Sequence, residues 1–176
     1  DYITIASTGN ATDFGNLVSN MRPAGTSNKT RAIFMGGDTG SASNVIQYIA
    51  IASTSNTTDF GDLIQGVGGA AGGCNSTRGV IGGGLGASPV NQTNIIQFVT
   101  IATLGNTIDF GDLSDGKYNR GSTSNSIRGV FAGGGPSHVN LMQFIEIPTT
   151  GNASDFGDMT NQYAFYGGCS TGHGGL

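Results

Sequence analysis

Residues 2–15 read Tyr-Ile-Thr-Ile-Ala-Ser-Thr-Gly-Asn-Ala-Thr-Asp-Phe-Gly, and the chain repeats this wording three more times with small changes. Asp-Phe-Gly returns as Asp13-Phe14-Gly15, Asp59-Phe60-Gly61, Asp109-Phe110-Gly111 and Asp155-Phe156-Gly157, at intervals of 46, 50 and 46 residues. An aromatic–aliphatic run precedes each copy: Tyr2-Ile3-Thr4-Ile5, Tyr48-Ile49-Ala50-Ile51, Phe98-Val99-Thr100-Ile101 and Phe144-Ile145-Glu146-Ile147. A third phrase, Arg-Gly-Val-Phe-Ala-Gly-Gly in its clearest form, fills 31–37, 78–84 and 128–134. A fixed period near 50 residues marks an array of structural repeats. All 176 residues therefore read as one repeat domain, with units near 1–46, 47–96, 97–142 and 143–176.

Each phrase carries a strand signature. In the aromatic–aliphatic run, Ile3 and Ile5 share one face with their counterparts, and Tyr2, Tyr48, Phe98 and Phe144 point to the other. Both faces are apolar, so these strands should be covered on both sides by stacked sheets. Ala32, Gly79 and Gly129 open the Arg phrase with small side chains, which suits a crowded inner strand. The glycines that follow end it. Asp-Phe-Gly reads as a bent edge. Phe60 and Leu63 are three apart, and a bulge at the glycine would turn both inward. The Asp carboxylate would accept from nearby backbone N–H groups. A fourth strand is read near 69–74 and 163–169, with Ser27 and Ser124 aligning to Cys74 and Cys169.

Composition agrees with this reading. The chain has 32 glycines and 10% charged residues. Glycine supplies the positive φ of tight turns, and low charge argues against disorder. No helical periodicity is present. The net charge is −4 and the basic residues are scattered, which argues against nucleic acid as a partner. No apolar run is long enough for membrane insertion by a helix. No signal-peptide pattern is read, and the chain opens inside a repeat, which leaves processing or excision open. Cys74 and Cys169 take equivalent places in two repeats and read as small wall residues, not as a disulfide.

Four short strands in 46–50 residues is the arithmetic of a β-propeller blade. The fold expected is all-β: a propeller of about four four-stranded blades, cut out of phase so that the two termini share a blade. A stretch of a larger array is the other option.

The glycine pair after an apolar strand resembles kelch-type propellers, although kelch repeats carry a Trp and this chain has none. The run 2–15, the Thr77-Arg78-Gly79-Val80 type of strand and the Gly36-Gly37-Asp38-Thr39-Gly40 loop are more similar to repeat proteins encoded by marine bacteriophages, cyanophages above all. The resemblance covers essentially the whole chain. It implies a virion structural or tail-fibre-associated protein. Its location would be the virion or the extracellular space. Its partners would be other virion proteins, copies of itself, or host-surface polysaccharide. It carries over no catalytic residue.

The motifs that invite chemistry read better as structure. Asp-Phe-Gly is a kinase phrase, but four copies without the phosphate-covering loop, strand lysine or catalytic loop favour a structural role. Asp59 with Asp62, Asp109 with Asp112, and Asp155 with Asp158 offer too few oxygens for a dedicated Ca²⁺ site. The glycine runs 66–73 and 82–86 lack the Lys-Ser/Thr of a phosphate loop. His138 and His173 have no metal-ligand spacing around them. No cofactor or metal is expected. The Asn-x-Ser/Thr triplets, Asn28 and Asn75 among them, read as turn chemistry.

The loops 38–44, 85–94 and 136–140 differ while their flanking strands hold their pattern. Binding residues concentrate on such loops. Asp38, Ser41, Asn44, Asn91, Asn94, His138 and Asn140 are the candidate binding residues, suited to sugar hydroxyls. The function expected is a non-catalytic module for particle architecture, host-surface attachment, or both. The alternatives are a secreted or surface protein that assembles by repeat stacking, and a glycan-cleaving enzyme. Glu146 and Asp115, the acids that break the repeat, would be the residues to mutate for the enzyme.

Overall fold

The computed structural model describes residues 1–18, 22–38, 40–87, 91–165 and 167–168. Among them the regular structure is strand, with no helix. Three repeats form antiparallel four-stranded sheets. The first holds β1 (Ala24–Ser27), β2 (Arg31–Met35), β3 (Val45–Ala50) and β4 (Thr58–Asp62), in that order. A short β5 (Val67–Gly68) leads to the second sheet: β6 (Ala71–Cys74), β7 (Arg78–Gly82), β9 (Ile95–Thr100) and β10 (Ile108–Asp112). Between its middle strands, β8 (Leu85–Gly86) pairs with β5. The third sheet holds β11 (Gly121–Ser124), β12 (Arg128–Ala132), β13 (Val139–Glu146) and β14 (Ser154–Tyr163). Residues 1–18 carry the equivalents of the last two strands of a sheet, joined by a Tyr2–Thr12 bridge.

The expected four full blades are therefore three four-stranded sheets and a partial unit at the head of the chain. The end of the strand read at 163–169, with Cys169 and His173, lies outside the described residues. The innermost strand also differs from expectation. The Arg phrase supplies the second strand of each sheet, and β1, β6 and β11 are the strands that lie side by side. Their Ala, Gly, Ser and Thr side chains permit this approach. Thr26 Oγ1 donates to Gly73 O at 3.1 Å, and Ser122 Oγ donates to Gly72 O at 2.6 Å. Cys74 is buried and unbridged, with its Sγ 3.0 Å from Ser27 O. Asn28, Asn75 and Asn125 close the turns into the Arg strands, each accepting from the backbone N–H groups two and three residues on. Asn28 and Asn75 thus act as turn residues.

Sheets stack face to face, as the doubly apolar strands require. Ile33, Met35, Ile46 and Phe60 of the first sheet pack on Cys74, Ile81, Val99 and Ile101 of the second. Val80, Ile96, Phe98 and Phe110 of the second pack on Phe131, Ile145 and Ile147 of the third. Within each repeat the strand aromatic meets the Phe of Asp-Phe-Gly edge-on, with centroids 5.7–5.9 Å apart. Such pairs add to the burial of the rings themselves.

Asp-Phe-Gly builds the outer half of the junction. The ladder slips by one residue between Asp59 and Gly61, and between Asp109 and Gly111, so Phe60 and Leu63 can both turn inward. In the first and fourth copies the Asp carboxylate accepts from the Gly N–H two residues on. The glycine has a second reason to be there. A β-carbon on Gly15, Gly61 or Gly111 would collide with the carbonyl of Ser55, Gly105 or Gly151 in the next repeat. Beside that contact the backbone bonds recur. Thr57, Thr107 and Ala153 N–H donate to Asn16, Asp62 and Asp112 O. In return Asn16, Asp62 and Asp112 N–H donate to the Oδ1 atoms of Asn56, Asn106 and Asn152. Three copies of one junction hold the array together.

Candidate functional site

Two of the three irregular loops, 38–44 and 85–94, contribute to one cleft. Arg22, Asp38, Ser41, Leu85, Gly86 and Asn91 line a cleft of 390 Å³. A 280 Å³ depression adjoins it, sharing Arg22, Asp38 and Leu85 and adding Tyr118, Asn119 and Phe165. The loops converge here for a topological reason. The connection after the Gly-Gly of one repeat bonds to the loop that precedes the inner strand of the next: Gly37 and Gly84 N–H donate to Val67 and Lys117 O. Residues just beyond those anchors must lie side by side.

Arg22 Nη2 and Asp38 Oδ1 form an ion pair at 2.7 Å across the floor. The Arg side chain is largely exposed and the Asp mostly covered, so the pair presents donor groups to solvent more than acceptors. Asp38 rests against Gly68, where a β-carbon would reach within 2.6 Å of its Oδ2. Ser41 and Asn91 stand exposed on the rim. Asn119 and Phe165 adopt left-handed backbone, with φ of 54° and 65°. For residues with a side chain this costs about 1–3 kcal/mol, a form of strain that clusters at binding sites. Phe165 is exposed.

The seven residues expected at the site divide into three groups. Asp38, Ser41 and Asn91 come together in the cleft. Asn44, Asn94 and Asn140 occupy one equivalent position, just before or at the start of the third strand of each sheet. There Asn44 O and Asn94 O accept from Leu63 and Leu113 N–H, and Asn94 Nδ2 donates to Leu113 O at 3.2 Å. Asn44 and Asn94 thus close the outer hairpin. His138 is exposed in the turn before β13 and does not line the cleft. Arg22, Tyr118 and Phe165 are the residues that sequence reasoning missed. The signal was available: Arg22, Gly68, Tyr118 and Ala164 fall at one repeat position and share no chemistry.

The irregular acids do not line the cleft. Asp115 pairs with Arg120 and accepts from Gln143 Nε2 at 2.9 Å. Glu146 stands opposite Arg128 in the β12–β13 ladder. Among the described residues, no group of three or more His, Cys, Asp or Glu is placed to hold a metal ion.

Arg120 stands out electrostatically. Its side chain is almost wholly buried, and Nε and Nη1 have no hydrogen-bond partner among the described residues. Burial pushes its pKa down, opposed by the charge of Asp115 and the hydrogen bond to it. A buried pair with unpaired donors contributes little to stability, and an apolar replacement of similar volume is often neutral or better. Replacing both partners together, Arg120→Met with Asp115→Asn, which keeps an acceptor for Gln143, should therefore leave stability unchanged or raise it by about 1 kcal/mol. Urea denaturation checks this, and a loss above about 2 kcal/mol would mean that the guanidinium is fully satisfied.

No family model and no curated protein matches this chain.

Proposed function

We propose that this chain is a non-catalytic module of the β-propeller type, built of four-stranded blades, that binds a polar ligand of the glycan kind in the cleft between Arg22 and Asn91. The observation that carries the reading is where the irregularity falls. Strand positions repeat because the junctions need them, and Arg22, Asp38, Ser41, Leu85 and Asn91 break the repeat and line one cleft. A scaffold held constant around a variable polar cleft is the arrangement of a binding protein. The Arg22 guanidinium, Ser41 and Asn91 offer hydrogen bonds to sugar hydroxyls. Tyr118 and Phe165 offer aromatic faces beside them.

The blade arithmetic supports the propeller assignment. Four antiparallel strands per unit, innermost strands side by side and sheets stacked by their faces are propeller features. The likeness of the repeats to marine phage proteins supports a place on a virion or its fibres, contributing architecture, host-surface attachment, or both. Hydrolysis of glycans requires two cooperating carboxylates. The cleft offers Asp38, already paired with Arg22, and neither Asp115 nor Glu146 lines it. This supports binding over cleavage.

Titration calorimetry with neutral oligosaccharides tests the reading. Ser41→Ala combined with Asn91→Ala should weaken a cleft ligand about tenfold, two hydrogen bonds' worth, with the thermal midpoint unchanged. Undiminished affinity would move the ligand elsewhere. Release of new reducing ends would favour the enzyme. Purified particles that lack the chain would remove the virion assignment.

A further inference from the structure

The two ends of the array are the two halves of its own junction. Among the described residues, nothing covers the outward face of the third sheet as the next repeat covers the first two. Phe156 is 49% exposed, where Phe60 and Phe110 are 2%. Val130, Met142 and Phe144 are partly open, where their second-sheet equivalents Val80, Ile96 and Phe98 are buried. Gly157 keeps the special backbone, φ 126°, yet a β-carbon there would meet nothing within 4 Å. Arg128 stacks on Phe144 at 4.6 Å, as Arg78 does on Phe98. Arg31 and Arg78 also donate to Ile101 O and Ile147 O of the next sheet. Arg128 has no such acceptor among the described residues.

The head of the chain offers the missing parts. Ile5 is 95% exposed where its equivalents Ile101 and Ile147 are fully buried, and Ile3 is 61% exposed where Val99 and Ile145 are buried. Gly9, Asn10 and Ala11 match Gly105, Asn106 and Thr107, which cap the preceding repeat. One position departs from the pattern: Asp1 stands where Gln47, Gln97 and Gln143 stand, a shorter acceptor for the same task.

We infer that a second copy of this chain seats its first repeat on the third sheet, making the junction a fourth time between molecules. The occupant is shown three times within the chain. Its own head does not fill the place, because both surfaces are open in one and the same molecule. The contacts follow by equivalence. Asp158 N–H donates to Asn10 Oδ1, and Ala11 N–H to Asp158 O. Arg128 reaches Ile5 O, and Ile3 and Ile5 cover Phe144 and Phe156. A head-to-tail contact of this kind is heterologous, so it builds a ring if its rotation closes and a filament if it does not. The assembly stands independently of the glycan reading.

Energy transfer between copies tests it. One population carries a donor dye at Ser7→Cys and another an acceptor at Asn161→Cys, both in a Cys169→Ser background. Transfer between the populations should appear and grow with protein concentration, in step with the mass from light scattering. Ile5→Asp, at a side chain that packs on nothing in the single molecule, should weaken it at least about tenfold without unfolding the chain. Absence of transfer between populations overturns the inference. So does transfer confined to doubly labelled molecules and independent of concentration, which would mean that the head closes on its own tail. A dimer that ignores Ile5→Asp also overturns it.

Discussion

Gly111→Ala should cost about 3–5 kcal/mol, summing backbone strain and overpacking. Two effects act together. At φ 140° the backbone suits glycine and strains any residue with a β-carbon. The new carbon would also press on the Gly151 carbonyl and come within 2.9 Å of Asn152 N, at the seam where the third repeat meets the fourth. Nothing flexible can yield there, because both contacts are backbone. Gly157→Ala is the control. Its φ is similarly positive but the space is open, so it carries the backbone strain alone, about 1–2 kcal/mol. Urea unfolding of the two variants should differ by about 2–3 kcal/mol at low protein concentration. Repeat arrays lose cooperativity when one interface weakens, so a transition that divides in two is an equal readout of Gly111→Ala. Equal costs for the two alanines would remove the steric explanation of the repeated glycine.

Gln97→Leu should cost about 1–3 kcal/mol, although leucine matches the volume. Gln97 is 1% exposed in the middle of a strand. Its Oε1 accepts from Ile64 N–H of the preceding repeat at 2.8 Å and from Thr107 Oγ1 at 2.8 Å, and its Nε2 donates to Gln65 O. Gln47 and Gln143 repeat the backbone contact with Val18 and Ser114 N–H. Leucine leaves those groups short of a partner in a place water reaches poorly. A buried group stripped of its partner costs more than the bond contributed. Ile64 N–H keeps a second acceptor, Thr107 Oγ1 at 2.9 Å, and Thr107 keeps Asp62 O at 3.5 Å, so the loss falls on Gln65 O and on the weaker bonds that remain. Adding Thr107→Val should deepen the loss, since it strips Ile64 N–H of its remaining acceptor. Chemical denaturation of the two singles and the double closes the cycle. A cost under about 0.5 kcal/mol for Gln97→Leu would mean that water already serves these groups.

The glutamines show where reading the sequence runs out. They recur beside Tyr48, Phe98 and Phe144 as regularly as any phrase, yet a polar residue in an alternating strand reads as solvent-facing. Their burial depends on a sheet contributed by another repeat, which local pattern does not contain. The strands themselves were legible, because period two with both faces apolar leaves few structures but stacked sheets. The bulge at Asp-Phe-Gly was legible from the three-residue spacing of Phe60 and Leu63. The carbonyl of the next repeat, the stronger reason for its glycine, was not. Asn44, Asn94 and Asn140 looked like free loop positions because unequal loops hid their shared register. Arg22 looked like one of several scattered cations until the fold set it against Asp38. The order of the inner strands also escaped, since Ala-Gly-Gly-Cys and Arg-Gly-Val-Ile are both small enough to crowd an axis.

Residue-resolved amide hydrogen exchange tests the central claim, one junction repeated along the array, most directly. The N–H groups of Thr57, Thr107 and Ala153 each donate to the preceding repeat and should exchange slowly at any protein concentration. Ala11, their counterpart at the head, should exchange fast in dilute solution and become protected as the concentration rises. Free exchange at Thr107 would contradict the stacking of sheets. Protection of Ala11 that is unchanged by dilution would contradict the open head and place its partner within the same chain.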